Sequence, residues 1–278
     1  MARITKKKWD RYVAILRRLN DRAAKEMLAT ATSLKANYDN GEISETAFRQ
    51  ALIDYAYALA TKYGEGATAA ACEMYDAISA LQGATVPAAV PAETATIAEV
   101  AKTVNGTLKT GNPEIVADAI GRLVKQAGAD TTLQNAKRDR AYFAWIAHGD
   151  TCAYCLALAG LGWQKAGELT LEGGHADHIH ANCDCEYAID HRGTLEIEGY
   201  EPSTINDLLL EATGDEYTAD DIIRMSGHNA KGHDHTALNM IRRKFYADNK
   251  EVINEQKRSA YIKRAERNSS AAEEFKVD

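Results

Sequence analysis

No stretch of this 278-residue chain approaches the roughly 18 to 20 consecutive apolar residues that a membrane-spanning helix requires. The opening residues, MARITKKKWDRYVAILRRLN, begin basic like a secretory leader, but charges recur at every turn afterwards and no apolar h-region follows. The expectation is a protein that stays in a cytoplasm unless a particle carries it out. Excess positive charge is also missing: 33 Lys and Arg face 40 Asp and Glu, for a net charge of −7. That balance argues against broad nucleic-acid binding while leaving room for a local basic face. Proline occurs four times, and two of the four fall in residues 83–93. Five cysteines make an odd count, and four of them come in close pairs, which fits metal ligation in a reducing compartment better than a disulfide framework. There is no Gly-rich phosphate loop, no nucleophile elbow, no His-Glu-x-x-His helix and no repeat of 20 to 50 residues. Those absences exclude the nucleotide-binding, hydrolase, zincin and solenoid classes that such motifs announce.

What is present is mostly helical patterning. From Thr5 to about Tyr38, apolar residues recur as Trp9, Tyr12, Val13, Leu16, Leu19, Ala23, Met27, Leu28 and Ala31, one stripe at helical period. Lys6 to Lys8, Arg11, Arg17 and Arg18 fall between them and read first as a solvated face, with a nucleic-acid or acidic-partner contact as the other reading. Asp39-Asn40-Gly41 should stop this helix, and Ser44 should cap a second one running toward Leu81 with a break near Tyr63 to Gly66. Together they form a helical hairpin over residues 1–82. Residues 83–93, GATVPAAVPAE, read as a linker, and Cys72 as a small buried apolar residue. Further helices are expected around Ile97–Thr103, from Pro113 through about Ala127, over 130–140, at Ser203–Glu211 and Thr218–Met225, and as a charged final helix from Leu238 to about Glu274. Tyr142 to Ala147 is aromatic and β-branched and reads as a strand, with Cys185 to Ile189 as a strand returning beside it.

The chemistry concentrates in residues 141–190. Cys152-x-x-Cys155 is followed, after 27 intervening residues, by Cys183-x-Cys185, with His180 close before the second pair. Thiolate and imidazole suit tetrahedral zinc, and a C-x2-C turn offers both sulfurs to one ion. Five donors compete for four positions: Cys152, Cys155, His180, Cys183 and Cys185. If Cys183 and Cys185 lie on a regular strand they point to opposite faces and His180 completes the set; if they form a tight turn, both bind. Four protein ligands would close the site around one structural zinc and leave no position for catalytic water.

Two other patterns compete for attention. Asp177-His178-Ile179, with Asn182, echoes the His-Asn-His nuclease finger, in which a His acts as general base beside a divalent metal. The short step from Asp177 to Cys183 leaves little room for that family's hairpin, so a polar loop is the plainer reading and an endonuclease using His178 stays as the alternative function. A zinc-stabilised adaptor is a further one. Gly227 to His235 holds three of the eight histidines and reads as a polar loop between helices.

Trp145-x4-Asp150-x-Cys152-x2-Cys155-x-Ala157-Leu158-x-Gly160, followed by His180-Ala181-Asn182-Cys183-Asp184-Cys185, resembles the Mu-F-type minor head proteins of tailed phages. Ala181 and Asp184 stand where that family's closing motif has Pro and Arg, and the likeness covers about 50 residues. It implies a non-enzymatic phage minor capsid (head morphogenesis) protein of the virion, assembled in the host cytoplasm and placed at the portal or capsid interior. The implied partners are the portal or major capsid protein, with packaged DNA against the N-terminal basic face, and neither membrane nor small-molecule substrate. The expected fold is α+β and mainly α-helical. A helical region over 1–82 and a linker over 83–93 lead to a module over 94–200 with its metal knuckles at 141–190, then to C-terminal helices over 201–278.

Overall fold

A computed structural model describes residues 2–148, 151–167, 185–226, 236–248 and 250. The fold is mainly α-helical with two small sheets. The chain order is β1 (Arg3–Ile4), α1 (Lys6–Asp39), α2 (Glu45–Gln82), α3 (Ile97–Leu108), α4 (Pro113–Arg138), β2 (Tyr142–Ile146), α5 (Ala153–Gly160), β3 (Gln164–Lys165), β4 (Glu186–Asp190), β5 (Glu196–Ile197), α6 (Pro202–Thr213), α7 (Ala219–Ser226) and α8 (Thr236–Asp248). The described residues fall into two compact units: 2–13, 72–90 and those from 129 on make the first, and 14–71 with 91–128 make the second.

The second unit is built on the hairpin of α1 and α2. Gly41, at φ +76°, ends α1 in a Schellman arrangement, its N–H on Tyr38 O and the Glu42 N–H on Asn37 O. The Ser44 hydroxyl then accepts the Ala47 N–H at 3.2 Å and starts α2. The antiparallel register shows in three contacts: Tyr38 stacks on Phe48, Tyr63 donates to Glu26, and Leu19 lies against Gly66. Met27, Leu52 and Ala56 are sealed between the helices. No break occurs at residues 63–66. Glycine is used there for its missing side chain: a Cβ on Gly64 would sit 2.9 Å from Thr94 Cγ2, and one on Gly66 3.2 Å from Leu19 Cδ2. α4 likewise runs unbroken to Arg138 instead of stopping near Ala127 and restarting at 130, and its Gly128 admits the backbone of α2, Ala67 O lying 3.4 Å from where a Cβ would be. α3 opens with a full capping box, Thr96 and Glu99 each accepting the other's backbone N–H.

In the first unit, β2 lies between β3 and β4, antiparallel to both, with Tyr142 opposite Asp190 and Ile146 opposite Glu186. Its apolar side carries Phe143, Trp145 and Tyr187, ring centroids 5.0 to 6.4 Å apart. α5 is buried over most of its length and packs on α6, α7 and α8 through Ala157, Leu209, Ile222 and Ile241. Its Gly160 admits Leu209 and Ala219, each 3.2 Å from where a Cβ would be. A two-residue parallel pairing of β1 with β5, unforeseen from sequence, sets Ile4 beside Ile197. The final expected helix is seen as α8 through Asp248, and its expected remainder lies outside the described residues. Cys72 is half-buried instead of fully buried, and burial pushes its thiol up.

Residues 84–96 carry no helix or strand, yet they are held. Asn135 on α4 accepts the Val90 N–H at 2.9 Å and donates to Val90 O at 2.8 Å. Arg138 donates to Pro87 O and Ala88 O, and Asp76 accepts the Ala89 N–H.

Candidate metal centre

The β2 strand delivers the chain to the first cysteine pair. Cys152 is the N-cap of α5, and its sulfur accepts the Cys155 N–H at 3.4 Å. A sulfur in that position receives a backbone donor at the N-terminal end of a short helix. Cys155 is buried in the same first turn. Tyr154 lies between them in sequence, and its hydroxyl is pushed above its ordinary range by burial first and then by the charges of Cys155 and Cys152. Ala153 and Ala157 on this helix anchor the apolar cluster of α5 to α8, so the pair rides on a packed element.

Cys185 is also buried and is the residue immediately before β4, not part of that strand. Because Ile146 is opposite Glu186, the register brings Cys185 level with Ala147, five residues ahead of Cys152 in the chain. Pairing of β2 with β4 thus returns Cys185 to the end of the sheet from which the Cys152–Cys155 segment departs. Trp145, on the strand between, has a buried indole N–H with no hydrogen-bond partner among the described residues. His180 and Cys183 lie outside the described residues, as do His175, Asp177, His178 and Gly227 to His235. Among the described residues no three His, Cys, Asp or Glu side chains gather around a point that an ion could occupy, and none of the described cysteines is in a disulfide.

At the other end of the same strands is a polar network for which the sequence offers no local pattern. Asp190 is fully buried and its carboxylate accepts from Gln82 Nε2 at 2.5 Å, Arg192 N–H at 2.8 Å and Leu195 N–H at 2.7 Å. Gln82 closes the ring by accepting the His191 N–H at 2.9 Å. His191 Nε2 lies 2.8 Å from the Ser79 hydroxyl, which itself donates to Tyr75 O. The serine proton is therefore spent, so Nε2 carries the hydrogen of that pair. Burial lowers the imidazole's affinity for a proton, opposed by Asp139 and Asp190. Burial would raise Asp139, but hydrogen bonds from Arg138 and Tyr75 outweigh it and hold the carboxyl below its usual range. The Asp190 carboxylate, the Gln82 amide and the Ser79 hydroxyl each have partners within the fold, which makes the network a structural clamp joining the end of α2 to the end of β4.

No curated protein and no solved structure matches the chain. One family model does, that of the VG15 protein, over residues 3–212. That span includes the hairpin, both sheets, the Cys152–Cys155 turn and Cys185, and reaches nearly to the end of α6, so the chain belongs to the VG15 family, a family of phage proteins.

Proposed function

We propose that this chain is a minor head protein of the phage particle, of the Mu-F kind, that assists head assembly or genome delivery at the portal or capsid interior. The phage family and the motif running from Trp145 to Cys185 support the reading. The compact centre is stapled by one structural zinc, with ligands drawn from Cys152, Cys155, His180, Cys183 and Cys185. One observation carries the zinc: Cys152 caps α5 with its sulfur on the Cys155 N–H, while the β2 register returns Cys185 to the same end of the sheet. Such a pair is already set for ligation, and the ion's contribution there is to hold two distant segments together without chemistry. Asn182 and His178 are given no catalytic part.

Two measurements test the two halves separately. Mass spectrometry of purified particles should find the chain in the virion, and its confinement to lysate would refute the head-protein role. Metal analysis of the purified chain should return about one zinc per molecule, lost together in Cys152→Ser and Cys155→Ser. A full-length, folded chain with no metal and all thiols reactive would remove the staple while leaving the virion result standing.

A further inference from the structure

We propose that the end of the β3–β2–β4 sheet marked by Tyr142, with Lys165 on β3 and with Arg140 and Arg192 just beyond the ends of β2 and β4, is a contact surface for the phosphate backbone of duplex DNA. All three cations are exposed, and among the described residues none of them is ion-paired. Lys165 is the strand partner of Tyr142 and its ammonium is held 4.4 Å from the ring centroid. Arg140 lies two residues before β2 and Arg192 two residues after β4, so both flank the end of the sheet at which Tyr142 pairs with Asp190.

Two carboxylates among the described residues at this end, Asp139 and Asp190, are turned inward. Asp190 is fully buried under three hydrogen bonds, and Asp139 is gripped by Arg138 and Tyr75. Positive charge therefore faces outward on a chain whose net charge is −7. Arg140 adds a second sign of purpose, because it occupies a left-handed turn, φ +52°, that glycine would fill without strain. Three exposed cations at one sheet end can neutralise about three backbone phosphates, which sets the salt dependence such a contact should show. This surface is distinct from the N-terminal basic face; that the DNA is the packaged genome rests on the head-protein reading.

The test is fluorescence anisotropy of the full chain with a labelled duplex of about 30 base pairs, from about 50 to 200 mM salt. The wild type should bind at low salt, with log K falling against log salt at a slope of about −3. Arg140→Gly/Lys165→Gln/Arg192→Gln should weaken binding at least about tenfold and bring the slope close to zero, with an unchanged melting curve since glycine suits that turn. Lys102→Gln/Lys109→Gln, exposed lysines in and just after α3, should bind as the wild type does. The proposal is overturned by no binding at low salt or by an unaltered slope in the sheet-end variant. Loss of binding in the Lys102/Lys109 variant instead, or displacement of DNA by polyglutamate as readily as by unlabelled duplex, would overturn it too. Should the sheet-end variant misfold, Arg192→Gln alone must still reduce the slope by about one. Failure here leaves the virion measurement untouched, and failure there leaves this one untouched.

Discussion

Gln82 and Asp190, 108 residues apart in the chain, meet in a buried hydrogen bond at 2.5 Å between the end of α2 and the end of β4. Asp190 has no exposed oxygen to fall back on, so changing it leaves donors stranded. Asp190→Asn must turn its NH2 toward either the Leu195 N–H or the Arg192 N–H and Gln82 amide donors, and should cost about 2–4 kcal/mol. Gln82→Ala removes one donor but leaves the two backbone donors on the carboxylate, and should cost about 1–2 kcal/mol. Urea unfolding reads both values. A ranking with Gln82→Ala the worse would mean that Asp190 does not organise the clamp.

The neighbouring His191 makes stability depend on pH in a defined window. Its folded affinity for protons is lowered by burial, with Asp139 and Asp190 pulling the other way. The unfolded chain, with an imidazole near pKa 6.5, therefore binds more protons than the folded chain as acidity rises. The contribution is full above about pH 6.5 and is lost as pH falls from there toward the folded value. The urea midpoint should drop between about pH 7.5 and 5.5, and drop less in His191→Gln, since the carboxylates titrate lower. Equal drops in the two proteins would place the pH dependence elsewhere.

The same region shows where sequence reading succeeds and where it stops. Gly41, Ser44 and Pro113 each solve a problem posed by the residues next to them, so the helix ends they make are legible in isolation. Gly64, Gly66 and Gly128 have the same side chain for a different reason. They accept Thr94, Leu19 and Ala67, partners that no local window contains, and so the helices they sit in look interrupted in sequence yet run through. The strand pair β2 and β4 is legible because its aromatic and β-branched residues are contiguous. The clamp of Ser79, Gln82, Asp190 and His191 is not, because each polar residue is unremarked until the fold removes its water. At the candidate metal centre, the Cys152–Cys155 turn is local and readable, and the place of Cys185 beside the end of β2 comes with the strand pairing, while the proposed choice among His180, Cys183 and Cys185 depends on a segment outside the described residues.

Those two uses of glycine lead to opposite mutational signs. Gly106, exposed inside α3, has nothing within 4 Å of a would-be Cβ, so Gly106→Ala should stabilise by about 0.5–1 kcal/mol through helix propensity alone. Gly64→Ala gains the same propensity but drives its methyl to 2.9 Å from Thr94 Cγ2 and 3.3 Å from Thr94 Cβ. A short β-branched side chain cannot swing clear, and overpacking of this kind costs about 1–3 kcal/mol. Gly64→Ala should therefore melt lower than the wild type and Gly106→Ala higher. A higher melting point for Gly64→Ala would show that the contact with Thr94 is soft.

Asn135 holds Val90 through both of that residue's backbone groups, as a neighbouring strand would, while its Nδ2 also reaches Thr131 O on its own helix. Nothing else on α4 can replace that pairing. Arg138 grips Pro87 and Ala88 from an exposed position, where each bond competes with water. Asn135→Ala should thus release residues 87–90 and cost about 2–3 kcal/mol, whereas Arg138→Gln should cost under about 1 kcal/mol. Limited proteolysis gives a second readout besides unfolding. Exposed, extended backbone is a preferred substrate once it can leave its support, so new cleavage between Thr85 and Glu93 should appear in Asn135→Ala and stay absent in Arg138→Gln. If Asn135→Ala resists protease as the wild type does, the segment is held by its own packing and the asparagine is incidental.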